Sequence, residues 1–400
     1  MTAPATSCPS CGSSALEEFH RQENVPTNSC LLLRTRPEAL NVPRGDIRLE
    51  LCRSCGFVAN TAFRSGASRY ESSYEETQGF SPRFRGFAWD LARQWVEAYD
   101  IRGRDIIEIG CGKGEFLTLI CEAGANRGVG IDPSWVDGRI DPERTRNITF
   151  IPDFYGERFA HLPADVIVCR HTLEHIPDVS AFLGLVRRVI GARLNTVVLF
   201  EVPDVTRILE EIAFWDVYYE HCSYFSVGSL VRLFRRCGFD VLDAHLEFDG
   251  QYIVLAAVPR PPNADPNGRA PKEIEGEDDL VRLTEGAAGW RSGYRYQVAR
   301  WRDLVEAAAA GRSTTVIWGA GSKGVAFLTS VEADSAVAAA VDVNPYKQGM
   351  YMAGTGHCIV APERLGDIRP ETVIVMNPTY LGEIGADLDS SGVAAKLLAV

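Results

Sequence analysis

A chain of 400 residues is too long for one ordinary compact core and is expected to divide into two or three. Its apolar fraction of 46% and charged fraction of 24% are those of a soluble globular protein, while a net charge of −12 leaves no surplus of Lys and Arg to grip a phosphate backbone, so nucleic acid is not expected as a partner. No apolar run reaches the roughly 18 to 20 residues that span a bilayer, and the start, MTAPATSCPSC, has neither a basic head nor an apolar signal core; a cytoplasmic protein without a membrane partner is predicted.

The first region, 1–69, carries Cys8-Pro9-Ser10-Cys11 and Cys52-Arg53-Ser54-Cys55, each followed by glycine. A CxxC turn places two thiolates on one side of a tight knuckle, and two such knuckles supply the four soft ligands of a tetrahedral, structural zinc site. The competing reading is two unrelated surface turns. An extended hairpin or loop must fill the gap between Cys11 and Cys52. Eleven cysteines are otherwise too dilute for a disulfide framework.

An aromatic-rich helix over Pro82–Tyr99 leads into the second region, 70–260. Short apolar segments at Asp105–Ile109, Val129–Ile131, Ile148–Ile151, Val166–Cys169 and Thr196–Glu201 alternate with helical patterns, which predicts a doubly wound α/β sheet. Within it, Glu108-Ile109-Gly110-Cys111-Gly112-Lys113-Gly114-Glu115-Phe116 ends a strand in a carboxylate and a glycine-rich turn. Glycine lets backbone approach a ligand closely, and the following helix presents unpaired amides. Asp132, followed by Pro133, stands at the next strand end, where a carboxylate can accept from both ribose hydroxyls. Asp153-Phe154 and Arg170-His171 follow two further strand ends.

Pro259 to Asp279, rich in Pro, Gly and charge, reads as a linker, and a long helix is predicted from about Leu280 to Ala310, so that 261–310 forms linker plus helix. The third region, 311–400, opens with a strand and Gly319-Ala320-Gly321-Ser322-Lys323-Gly324, followed about twenty residues on by Asp342. The spacing is that of a dinucleotide loop. Only about four strands are foreseen here, half of such a fold. Three readings stand: a loop for the nucleotide part of a substrate, a structural turn, or an NAD site.

The G-x-G-x-G turn resembles motif I of class I S-adenosylmethionine-dependent methyltransferases. With the paired CxxC motifs, GAGSKG, Asn344, Lys347 and Asn377-Pro378-Thr379-Tyr380, the whole chain resembles the sugar C-methyltransferase family, whose members act on C-3 of thymidine diphosphate 4-keto-deoxysugars in antibiotic or surface-sugar biosynthesis. That resemblance implies three modules in order: a zinc-binding module, a class I methyltransferase domain and a small C-terminal Rossmann-like domain. The family marker Tyr-His-Glu-His stands here as Tyr218-Tyr219-Glu220-His221, with Tyr219 in place of the first histidine. The resemblance further implies His221 as the base at C-3 with Glu220 orienting it, Tyr218 lining the sugar pocket, His175 as a second histidine, and Tyr74 or Tyr70 as a tyrosine from the zinc-module side. Glu108, Gly110, Gly112, Gly114, Phe116, Asp132, Pro133, Asp153, Phe154, Arg170 and His171 are the expected cofactor contacts. Tyr219, Lys323, Asn344 and Lys347 are the expected substrate contacts. A small-molecule substrate and a monomer or homodimer are expected. The alternatives are an oxygen or nitrogen acceptor on the same scaffold, a non-catalytic zinc-bearing scaffold, and an NAD-dependent oxidoreductase.

Overall fold

A computed structural model describes residues 7–68, 70–261 and 272–400. Three strands open the chain: β1 (Leu16–Pro26), β2 (Arg44–Cys52) and β3 (Val58–Asn60). β1 and β2 pair antiparallel, and this hairpin spans the gap between the two CxxC turns. Its inward positions, Phe19, Val25, Ile47, Leu49 and Leu51, are buried while charged residues alternate outward, the pattern of a sheet with one solvated face.

The helix Pro82–Ala98 begins at Ser81, whose hydroxyl accepts from the Phe84 amide at 3.1 Å, with proline at the first helical position. Then follow β4 (Asp105–Ile109), β5 (Arg127–Ile131), β6 (Ile148–Ile151), β7 (Val166–Arg170), β8 (Val197–Pro203), β9 (Ser223–Tyr224), β10 (Phe239–Glu247) and β11 (Tyr252–Pro259). Seven of them form one sheet in the order β10-β11-β8-β7-β4-β5-β6, parallel from β8 to β6, with β11 running antiparallel between β8 and β10. All five segments expected from the sequence are strands of this sheet. The β10–β11 hairpin lies outside the expected strands, because β10 mixes polar with apolar positions, although Asp249-Gly250 between the two strands is a hairpin-turn signal.

β9 leaves the central sheet altogether. It pairs antiparallel with β3, Val58 opposite Tyr224 and Ala59 opposite Ser223, and so completes the four-stranded sheet of the N-terminal module. Of the predicted linker, residues 262–271 lie outside the described residues. Beyond them Ile274 is buried, and Asp279 accepts from the Gly228 amide at 2.8 Å and from Arg232 at 2.6 Å, so this end of the stretch packs on the helix Val227–Arg236.

The helix Leu280–Ala310 has the predicted extent. Its Trp290 is fully buried, 6.2 Å from the ring of Phe19 and 5.6 Å from that of His20, and ties the helix to β1. The C-terminal strands β12 (Thr315–Trp318), β13 (Ala339–Val341), β14 (Ile359–Val360), β15 (Thr372–Val375) and β16 (Lys396–Ala399) form a wholly parallel sheet in the order β14-β13-β12-β15-β16. That is one strand more than expected; β14 is only two residues long.

Candidate active site

One cavity of about 760 Å3 lies where all three regions meet, within the size range of small-molecule sites. Its floor is the turn after β4. Gly110, Gly112 and Gly114 all have positive φ, and a Cβ on Gly110 would fall 2.0 Å from the Thr172 hydroxyl. Bare backbone is therefore required for the turn to lie under the cavity. Asp132 closes the turn: its carboxylate accepts from the Gly112 amide at 2.8 Å and from the Ser134 amide and hydroxyl at 2.7 Å each. Lys113, buried, donates to the carbonyls of Tyr74 at 2.8 Å and Ser134 at 2.7 Å, which fastens the 70–78 segment to the turn.

All eleven expected cofactor residues except Gly114 line this cavity, and Gly114 lies at its edge as the first residue before the helix Glu115–Gly124. Burial pushes the Glu108 carboxyl up to about 8, although Arg170 opposes that shift. Arg170 lies 3.9 Å over the Phe116 ring and donates to Glu201 at 2.6 Å. His171 makes an ion contact with the same Glu201 at 2.8 Å; burial alone would lower its pKa, but Glu201 and Glu174 raise it to about 9. Asp153 is salt-bridged to Arg158, and Phe154 is 63% exposed at the cavity mouth, an apolar face open to a ligand ring.

Opposite the turn stands a cluster of rings. The His175 and His221 rings are 4.9 Å apart, and the Tyr218 hydroxyl lies 3.0 Å from His221 Nε2. His175 Nδ1 is 3.0 Å from the Glu220 carbonyl oxygen and 3.0 Å from the Tyr70 hydroxyl. A carbonyl can only accept, so Nδ1 of neutral His175 carries the hydrogen, leaving Nε2 with its lone pair. Burial first, then the neighbouring basic side chains His175, His171 and Lys323, hold the His221 pKa well below its usual value, so the ring is neutral at cellular pH. Burial keeps Tyr218 and Tyr74 protonated.

Two sequence expectations are corrected. Tyr219 does not reach the cavity: its hydroxyl accepts from the Arg64 amide at 2.9 Å, its ring lies 5.2 Å from Phe63, and a Cβ on Gly45 would fall 2.4 Å from it. It is a core residue between the hairpin and the ring cluster, because Tyr219 and Glu220 are the central residues of a turn in which the His221 amide donates to the Tyr218 carbonyl at 3.2 Å, and neither side chain lines the cavity. Glu220 does not orient His221 either. Its buried carboxylate accepts from the Ser29 amide at 3.0 Å and the Ser29 hydroxyl at 2.5 Å, and the Ser29 hydroxyl in turn lies 2.7 Å from that of Ser322 in the C-terminal glycine turn. A carboxylate does stand by His221, but it is that of Glu174, 4.0 Å from Nε2, the residue before His175 in sequence. Glu174, His175 and His221 offer metal-ligand atoms within 4.8 Å of one another, but Tyr218 already occupies His221 Nε2, and we read the trio as a proton-handling group.

The remaining expected residues meet at the C-terminal side. Lys323 is paired with the buried Asp216, which also pairs with Arg207. Asn344 donates to Glu75 at 2.9 Å, and Lys347 stands 3.5 Å from Asp342. Asp342 accepts from the amides of Ala320 and Asn344, bracing its own glycine turn as Asp132 does in the central domain. Asp216 carried no sequence signal, since its pairing with Lys323 crosses between regions, whereas Tyr70, the alternative to Tyr74, meets His175 within the central region.

The four thiols of the CxxC turns lie together, with Sγ separations of 3.7 Å between Cys8 and Cys55 and 3.6 Å between Cys11 and Cys52 and all four within 4.8 Å. Zinc–sulfur bonds of about 2.3 Å in a tetrahedron imply edges of about 3.8 Å, so the set fits that ion.

Residues 83–244 match the family model of a methyltransferase domain, and residues 288–393 that of a C-methyltransferase C-terminal domain. The chain is 29% identical over 296 residues to the C-methyltransferase NovU of Streptomyces niveus, covering 70% of this chain and 67% of that protein. It is 26% identical over 102 residues to a ribosomal protein L11 methyltransferase of Edwardsiella ictaluri, of which it covers 35%. Among solved structures, magnesium protoporphyrin IX methyltransferase from Synechocystis aligns at 15% identity and a TM-score of 0.35, over 45% of this chain and 84% of that one.

Proposed function

We propose, from the premise that this chain is an S-adenosylmethionine-dependent methyltransferase with a C-methyltransferase C-terminal domain, that its acceptor is a carbon beside the keto group of a nucleotide-linked 4-keto-deoxysugar. The observation that carries this reading is the ring cluster: two histidines 4.9 Å apart, one held neutral by burial, on the wall facing the glycine turn. A carbon acceptor must lose a proton before or as it attacks, so it needs a base and a donor to the enolate oxygen, whereas many oxygen acceptors need less. Here His221 is the base, with His175 Nε2 as a second proton acceptor, and Tyr218 and Tyr74, kept protonated by burial, are the candidate donors. S-adenosylmethionine supplies the methyl group; the turn Gly110 to Gly114, with Asp132, Pro133, Asp153 and Phe154, would hold it, and alignment of donor and acceptor supplies much of the rate.

Lys323, Asn344 and Lys347 would meet the nucleotide part of the substrate, a use of the C-terminal glycine turn that suits its place on the cavity wall. The four thiols would hold a structural zinc, closed by four ligands and without an open position for chemistry. Module limits of 1–69, 70–260, 261–310 and 311–400, a cytoplasmic setting and a monomer or homodimer belong to the same proposal. Incubation with S-adenosylmethionine and a thymidine diphosphate 4-keto-deoxysugar in deuterated water tests it. A product one methyl group heavier is expected, with deuterium appearing at C-3 of the unreacted substrate; methylation without exchange would move the acceptor to oxygen or nitrogen, and neither product nor exchange would end the reading.

A further inference from the structure

Glu76 belongs neither to the ring cluster nor to the glycine turn. It belongs to the 70–78 segment that Lys113 fastens to the glycine turn, and it lines the cavity. Its Oε1 would lie 2.6 Å from a Cβ placed on Gly112, so the carboxylate sits directly over the second glycine of the turn. Its Oε2 is buried and meets no hydrogen-bond donor among the described residues. The nearest cation, Lys113 Nζ, is 3.7 Å away and directs its hydrogens at two backbone carbonyls. Asp132, the other carboxylate beside Gly112, already has three donors.

A buried carboxylate oxygen that accepts from no donor is costly unless something completes it. Burial pushes Glu76 up to about 7, with Lys113 holding it down and Asp132 and Glu75 adding to the rise. A cation brought into the cavity would relieve that cost, and a neutral ligand would not. The methyl donor and its product differ in just this respect: the sulfonium of S-adenosylmethionine is positive, while the thioether of S-adenosylhomocysteine is neutral.

We infer that Glu76 is a specificity residue for the charge state of the cofactor, its carboxylate answering the sulfonium and so favouring the methyl donor over the spent product. The inference rests on the glycine turn being the cofactor site. Discrimination of this kind hastens product departure, because the attraction disappears when the methyl group leaves. A contact with a ribose hydroxyl or with the amino group would instead be shared by donor and product.

Titration calorimetry on the full-length protein and its Glu76→Gln variant separates these cases, with S-adenosylmethionine, S-adenosylhomocysteine and sinefungin, which bears an ammonium near the sulfonium position. In the variant the two ligands cationic at that position should weaken about tenfold while S-adenosylhomocysteine keeps its affinity within about twofold, which also shows that the variant is folded. Equal weakening of all three, or no change in any, overturns the inference. Failure of the unaltered protein to bind any of the three would instead remove the cofactor site on which it rests.

Discussion

The amide of Asn60 donates to the carbonyl of Cys222 at 2.9 Å, joining the last strand of the N-terminal module to the residue after His221. On the other side the Cys222 amide donates to the Glu174 carbonyl at 3.0 Å. The histidine is thus set between a sheet that begins at the thiol cluster and the turn that carries His175.

Loss of the proposed zinc should therefore act at a distance. Cys52→Ser is expected to reduce bound zinc from about one equivalent to none and to lower turnover at least about tenfold, while S-adenosylhomocysteine affinity stays within about threefold. Metal analysis, product formation and calorimetry on the same sample check this; unchanged turnover without zinc would disconnect the module from the chemistry.

Replacing His221 with Asn keeps a polar side chain but removes the proposed base. Turnover should fall by about 10²- to 10⁴-fold with cofactor affinity unchanged. Retained deuterium exchange in this variant would transfer the role to His175, whose Nε2 lone pair is the alternative.

The pH dependence of kcat/KM follows from the burial of His221. With its pKa held well below the usual value, the ring stays neutral as pH falls through about 6.5, so the acid limb should appear only at lower pH. A rate profile breaking near 6.5 would mean a base exposed to water.

His20 gives a stability test of definite sign. Burial lowers its pKa to about 4, between the rings of Trp290 and Tyr294. The unfolded chain then binds the proton more readily, so stability is full above about 6.5 and falls by up to about 1.4 kcal/mol per pH unit toward 4. His171 works the other way: raised to about 9, it contributes fully below about 6.5 and loses that contribution as pH rises through 9. In urea titrations, His20→Phe should flatten the acid side of the stability curve and leave the alkaline side alone.

Gly45 and Tyr219 should prove coupled. Gly45→Ala would drive a methyl group into the Tyr219 ring and cost about 1 to 3 kcal/mol, and Tyr219→Leu in the same chain should recover part of that loss. Additive losses in denaturant unfolding would deny the contact.

Local signals carried much of this molecule. The two CxxC turns, the Gly110 to Gly114 turn with Asp132, and the helix Leu280–Ala310 depend on spacing and periodicity within short stretches, and the strands β4 and β6 have their predicted bounds. Tyr218 to His221 were legible as residue types but not as directions. Which side chains enter the cavity depends on how the turn before β9 sits against the N-terminal sheet, and nothing near Tyr219 announces Gly45 some 170 positions earlier. Glu220 misled for the same reason, because its partner Ser29 lies in another region.

The contact of Glu220 with Ser29, and of Ser29 with Ser322, brings three distant parts of the polypeptide to one point behind the ring cluster. A module exchanged with a relative would have to arrive with compatible residues at all three places, or leave a buried carboxylate stranded. Chimaeras of this architecture should therefore succeed or fail according to that junction, whatever the quality of the grafted module, and lineages that acquire new acceptors are more readily built by changing cavity walls than by shuffling whole segments.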